Sequence, residues 1–284
     1  MSISLGSLLL VLACSLAWAG VDTARKMLAG SIRPAPLIFL LTAASVPFYA
    51  VWVAWDGMPK VGPGYLAPAC ASLALNVWAN LAFIAALRMA ALSVTVPLLS
   101  LTPVFTALLA IPMLGERPSA LQGFGIVLVV AGAFTLQWPQ GKGWRFERGA
   151  LLTVGVALAW SLAVPLDKLA VEQASAPFHA TVLCAGVGLA ALLVLLGQGR
   201  AGELVDVGRV RGAFVLALLA SVVALALQLL AIQVVWVSLM ETIKRGIGNV
   251  SALLMGRLLF GESVTPRKVM AIFLMALGVA LVVR

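Results

Sequence analysis

The sequence predicts an all-α polytopic membrane protein of ten transmembrane helices arranged as two inverted five-helix repeats. Three observations predict it. Composition is the first: 63% of the 284 residues are hydrophobic and only 10% are charged, where soluble domains carry about 25% charged residues. The second is segmentation into ten apolar stretches, each near the roughly 20 residues a spanning helix needs. The third is internal repetition. Leu16-Ala17-Trp18 recurs 142 positions later as Leu158-Ala159-Trp160, and Lys26 recurs as Lys168 at the same offset. Gly115-Glu116 recurs as Gly261-Glu262 and Gly132 as Gly278, both 146 positions apart. One longer loop produces such a change of offset, and matches in constant order indicate a repeat. With five helices per half, the second half enters the membrane in the opposite sense, an arrangement of secondary transporters.

The expected segments run as follows. The first is Ile3 to Met27; it lacks a basic leader and continues past signal-peptide length, so it reads as a retained helix. The second, Pro34 to Trp55, is closed by the turn-forming Asp56-Gly57-Met58-Pro59. Gly64 to Leu87 carries Asn76 and Asn80 one turn apart, and Leu92 to Leu114 is interrupted by Pro97 and Pro103. Ala120 to Trp138 completes a first repeat of residues 1–138. A polar linker, 139–148, holds Lys142, Arg145 and Arg148. The second repeat, 149–284, contains Gly149 to Leu169, Phe178 to Leu196, Gly212 to Ile232, Val235 to Glu262 and Val269 to Val283.

The ninth segment is the anomalous one, because it carries Glu241, Lys244, Arg245, Asn249 and Arg257. A charge at the bilayer centre costs roughly 2.5–3.5 kcal/mol on insertion scales, and such residues usually face a bundle interior or a watery cavity. Glu241, Lys244 and Arg245 share one helix face by their i,i+3 and i,i+4 spacing, and Asn249 lies one turn further on. This face is expected to line a substrate cavity. The alternative is snorkelling from a helix end to the interface.

These motifs resemble the drug/metabolite transporter superfamily, specifically its ten-helix EamA type. The first carrying set is Pro103 to Ala110, Gly115-Glu116-Arg117-Pro118, Gln122, Gly125 and Gly132; the second is Ser251 to Phe260, Gly261-Glu262-Ser263 and Gly278. The resemblance covers nearly the whole chain. It implies a basket of helices around a central cavity lined by helices one, three, four, six, eight and nine. It also implies secondary active transport, most often export, of a small organic metabolite. Lys244-Arg245 resembles the basic pair of plastid phosphate translocators, with Ser251 at a similar spacing, although the rest of that pattern is absent. That likeness leans the solute toward an anion or zwitterion.

Other candidates carry two readings each. Trp18 and Trp160 are stacking or interfacial residues, and Asn76 and Asn80 bind solute or bond between helices. Asp22 and Lys26, one turn apart, are gating or proton sites or interfacial anchors, with Lys168 matching Lys26. Glu241 and Asp22 are the candidate proton-coupling groups. Asp167, beside Lys168 in the matching place on helix six, carries the same two readings, gating or proton site or interfacial anchor; His179 reads as interfacial, and Glu116 and Glu262 as turn or cap residues outside the hydrocarbon.

Several classes are excluded. No Gly-rich phosphate loop, metalloprotease motif or nucleophile elbow is present, which argues against ATP coupling and against an intramembrane enzyme. Cys14, Cys70 and Cys184 are too scattered for a disulfide framework, and no cofactor or metal is expected. The net charge of +9 resides mostly in membrane-flanking residues, so no nucleic-acid partner is implied. The expected partners are a small-molecule substrate and membrane lipid, in a monomer or homodimer of a bacterial inner membrane. A flippase for a lipid-linked solute is the alternative on the same fold. Loop charges place both termini outside the cytoplasm by the positive-inside rule, whereas the family's usual arrangement places them inside. Impermeant labelling of cysteines placed at Gly141 and Ser2 tests this: the charge count predicts labelling from outside at Ser2 only.

Overall fold

The computed structural model describes residues 4–28, 32–89, 98–137, 148–200, 202–204, 211–260 and 265–284. These residues form ten long helices: α1 Leu5–Leu28, α2 Pro34–Asp56, α3 Leu66–Met89, α4 Thr102–Leu114, α5 Ala120–Gln137, α6 Arg148–Glu172, α7 Ala176–Gly197, α8 Arg211–Val234, α9 Val237–Phe260 and α10 Pro266–Val283. All ten expected segments are present. Pro97, Lys142, Arg145 and Gly261 to Ser263, and the side chains of Arg25 and Lys26, lie outside the described residues.

Several helices start earlier than the apolar pattern suggested, because polar caps and prolines extend them. Ser175 accepts from Phe178 N at the start of α7, and Thr265 accepts from Lys268 N at the start of α10. Pro177 and Pro266 occupy first-turn positions, where a missing N–H costs nothing. Ser119 and Gln122 form a reciprocal capping box at α5, with bonds of 3.0 and 3.2 Å. Outside the bundle, Glu203 bridges Arg33 at 2.6 Å and Arg200 at 2.8 Å, tying the α7–α8 loop to the start of α2. The Arg200 hydrogen bond is the main cause holding the Glu203 carboxyl below its usual range.

The outer surface carries many large apolar side chains, and small residues share the interior with large ones such as Leu229, Met240 and Met275. Leu16, Val51, Trp55, Leu193, Leu258 and Phe273 are exposed, while Ala79, Ala110, Ala133, Ala157, Ala170, Ala224 and Ala271 are buried. Water would select the opposite pattern. In lipid, association rests on close packing of small residues, and the outer surface is free to be bulky. Seven of the helices are long and apolar enough to cross a membrane. The charges of α9 lower its hydropathy, and α4 and α5 are described over shorter apolar lengths.

The helices pair across the halves. α1 packs along α8 and α6 along α3, while α2 packs on α7, α4 on α9 and α5 on α10. Exchanging each helix with its counterpart five places later swaps the first two pairs and returns the other three to themselves. This is the signature of two related halves. The glycines of the α5–α10 seam repeat it in detail. A Cβ on Gly278 would sit 2.6 Å from the Gly125 carbonyl oxygen, and one on Gly132 would sit 2.9 Å from that of Ala271. The 146-residue offset that carries Gly132 to Gly278 also carries Gly125 to Ala271, so the two contacts are copies of one.

This seam predicts that Gly278→Ala or Gly125→Ala costs about 1–3 kcal/mol through overpacking. Gly123→Ala, where an added Cβ meets nothing within 4 Å, should leave stability unchanged or slightly raised. Thermal unfolding in detergent checks all three.

Candidate functional site

The site is built on α9, which begins only two residues after α8 ends. The N-terminus of a helix presents unpaired N–H groups and a positive dipole end, and within lipid these need a partner. The partner comes from the other half of the molecule. Gly115, in a left-handed conformation at φ 68°, closes α4. The next residue, Glu116, turns its carboxylate onto α9. Glu116 Oε1 accepts from Val237 N at 3.0 Å, and Oε2 accepts from Ser238 N and Ser238 Oγ at 3.5 Å. Lys168 Nζ from the end of α6 completes the arrangement at 3.1 Å from Oε1. Glu116 is only 3% exposed. Glu116 therefore acts as a cap, as the sequence suggested. It is buried, and it caps a helix of the opposite repeat.

One turn into α9 lies the charge cluster the sequence singled out. Glu241 is 1% exposed and pairs with Lys244. Lys244 Nζ also donates to Gln228 Oε1 of α8 at 3.0 Å and stands 5.6 Å from the ring centroid of Trp18 on α1, a cation–π arrangement. Glu241 and Lys244 are turned into the bundle, which removes the snorkelling alternative for this pair. Arg245 and Asn249 are half-buried on the same helix. Among the described residues, Trp18 Nε1, Thr106 Oγ1, Ser221 Oγ and Arg245 Nε are buried without a protein hydrogen-bond partner. They belong to α1, α4, α8 and α9, all among the helices expected to line a cavity. An unsatisfied buried group costs about 1–3 kcal/mol, so their concentration there is chemically significant. A groove of about 470 Å³ lined by Trp78, Arg148, Leu151, Leu152 and Gly155 shares no residue with this cluster.

The remaining candidates lie elsewhere. Trp160 packs beside Phe83, ring centroids 5.6 Å apart, in a cluster with Ala79, Ala82 and Leu99. Asn80 donates to the Asn76 carbonyl at 2.8 Å, and Asn76 donates to Ser72 O and Ser72 Oγ at 3.1 and 3.2 Å. Asp22 is exposed on α1.

Burial excludes surface anchoring for His179 and, of the two readings of Asp167, removes the same one. Both are buried, at 3% and 0% exposed. Asp167 Oδ1 faces His179 Nε2 at 3.1 Å and accepts from Ser72 Oγ, while His179 Nδ1 lies 3.2 Å from the Tyr65 hydroxyl. Burial, then the nearby Asp167 charge, pushes the Tyr65 phenol up to about 12. No local sequence signal marks this network. Its members stand at the ends of three segments and meet only when α3, α6 and α7 pack together.

This is an all-helical membrane fold of two pseudo-symmetric halves with paired charges between them. The profile of the EamA-like transporter family matches residues 5–137 and again residues 147–284. The chain belongs to the EamA-like transporter family. A solved crystal structure of another protein is similar with a TM-score of 0.79 over 97% of this chain and 96% of its own, at 17% identity. At that identity the likeness shows the fold alone. No curated protein matches the sequence. As a member of the EamA-like family the chain is a multi-pass integral membrane protein, and the family consists of transporters rather than enzymes.

The Glu116 arrangement carries its own prediction. Removing one partner of a buried ion pair costs about 3–5 kcal/mol. Glu116→Gln and Lys168→Gln should each destabilise strongly, and the double variant should lose less than the two losses combined. Unfolding of all three in a double-mutant cycle checks this, with a coupling of about 0.5–3 kcal/mol expected for residues in one network.

Proposed function

We propose that this EamA-family chain is a secondary active transporter in a bacterial inner membrane. It moves a small organic metabolite, leaning anionic or zwitterionic, by alternating access between its halves, residues 1–138 and 149–284 with the linker 139–148. The observation that carries this reading is the Glu241–Lys244 pair, buried one turn inside a membrane helix and joined by Gln228 and Trp18. A purely structural membrane subunit need not bear the insertion cost of these charges. Glu241 and Lys244 neutralise each other, which leaves Arg245 as the net cation of the face. Its planar guanidinium suits a carboxylate or phosphate, which it binds in a bidentate manner. A solute ammonium, in turn, competes with Lys244 for Glu241. A cation whose Nε lacks a protein partner among the described residues, beside an exchangeable anion, supports a zwitterion or anion over a neutral solute.

Alternating access requires contacts that break and re-form between halves. Glu116 supplies one, since its ligands Lys168, Val237 and Ser238 all belong to the second half. The free energy comes from a gradient of protons, ions or counter-solute. The sequence candidates for proton coupling, Glu241 and Asp22, differ in setting: Glu241 is buried and paired, and Asp22 is exposed.

The test begins with a thermal-shift screen of the purified protein against metabolites. A site ligand at 100 times its Kd stabilises by about 2.7 kcal/mol. Uptake of the best solute is then measured in proteoliposomes. Lys244→Gln and Arg245→Gln should each reduce transport at least tenfold while leaving the protein folded and inserted. Full transport in both variants overturns the assignment. Competition by lipid headgroups, with no uptake of the free solute, selects the flippase reading instead.

A further inference from the structure

The buried acid of α6 and the chain's single histidine take no part in the steps above, yet they form a complete hydrogen-bonded chain. An ionised carboxylate can only accept. Asp167 Oδ1 therefore takes the Ser72 O–H and the N–H on Nε2 of His179, 3.1 Å away. That leaves Nδ1 with its lone pair, which accepts the Tyr65 O–H at 3.2 Å. Every group is satisfied with the imidazole neutral.

The charge, by contrast, is not balanced. Lys168, the next residue, is committed to Glu116 at 3.1 Å, so those two sum to zero. The elements packed on this pair bring little else among the described residues. The α2–α3 loop contributes Tyr65 and the exposed Lys60, α3 the exposed Cys70, α2 the exposed Asp56, α7 the buried Cys184, and α6 itself the exposed Glu172. α4 and α8 place no charged side chain against it, and on α9 Glu241 is taken by Lys244. Among the described residues, the basic group in contact with Asp167 is the His179 imidazole, so the pair is neutral only when that ring is charged. Burying an unpaired charge is costly, and such sites take up a proton instead.

We propose that Asp167 and His179 form a proton-binding site, reached through Tyr65, that carries the coupling ion of transport. The step balances simply. One proton enters on Nδ1 of His179, the Tyr65 hydroxyl turns its hydrogen away and accepts from the new Nδ1–H, and the carboxylate–imidazolium pair becomes neutral overall. Release reverses each movement. The site stands next to the Lys168–Glu116 contact that joins the halves, so its charge bears directly on the contact that alternating access must break. This coupling role rests on the transporter reading above, while proton binding itself does not.

Because His179 is the only histidine among the 284 residues, its ring is a unique reporter. The full chain, labelled with ¹⁵N-histidine in lipid nanodiscs, is titrated by NMR between pH 9 and pH 5 with the proton as the probe. At high pH the ring should be neutral with its hydrogen on Nε2. On acidification it should become doubly protonated in one step. Asp167→Asn should move that step at least one pH unit lower, and Tyr65→Phe should keep the step but change the Nδ1 shift. A ring that stays neutral to pH 5, or stays charged to pH 9, overturns the proposal in the unmodified protein alone. So does a step unmoved by Asp167→Asn. If His179 titrates as expected while Lys244→Gln and Arg245→Gln leave transport intact, the substrate assignment fails and the proton site stands.

Discussion

A carboxylate buried between two halves of the chain holds this molecule together at one face. Glu116 leaves the end of α4, in the first half, and satisfies the opening N–H groups of α9 in the second, with Lys168 as its counter-ion. The constraint behind it is general. In lipid a helix end cannot turn to water for hydrogen bonds, so another part of the protein must supply them. Because α8 and α9 are separated by only two residues, no loop of their own is available to cap the junction. The cap has to come from the other half. A structural necessity of one helix thereby becomes a contact between the two halves of the chain.

The same reasoning orders the charges. Each buried carboxylate among the described residues has a named basic or hydrogen-bonding partner: Glu116 with Lys168, Glu241 with Lys244, Asp167 with His179 and Ser72. Two of these pairs are neutral by composition. The third is neutral only when the imidazole is charged, and that difference separates a fixed ion pair from a site able to exchange a proton. Between them lies α9, one face of which meets α5 and α10 through Gly246 against Val129 and Val279. The other carries Lys244 toward Gln228 and Trp18. Close packing on one side and polar groups on the other give α9 two unlike faces.

The repeat was legible in the sequence because it is a matter of spacing. Gly132 and Gly278 recur at a fixed offset, and the structure gives the reason: each lets one helix backbone approach another across the α5–α10 seam. The cap role of Glu116 was also legible, though not its target, since nothing near residue 116 points to residue 237. The partners of Asp167 and His179 were hidden for a related cause. A polar residue near the end of an apolar segment is usually interfacial, and single-segment reasoning cannot see Ser72 of α3 and Tyr65 just before it approaching. Asn76 shows the converse. Its spacing from Asn80 suggested a shared binding face, whereas both amides donate back to their own helix.

By itself the sequence determined the membrane class, ten helices, the doubled architecture and the unusual charge of α9. All of these follow from composition and periodicity, which are local or one-dimensional. Only the tertiary structure decided which charges neutralise which, because Coulomb and hydrogen-bond partners act over a few ångströms in space and are indifferent to separation along the chain. Lys168 could have faced an interface; packing of α4 against α6 and α9 gave it Glu116. His179 could have been solvated; packing of α3 and α6 against α7 enclosed it between an acid and a phenol.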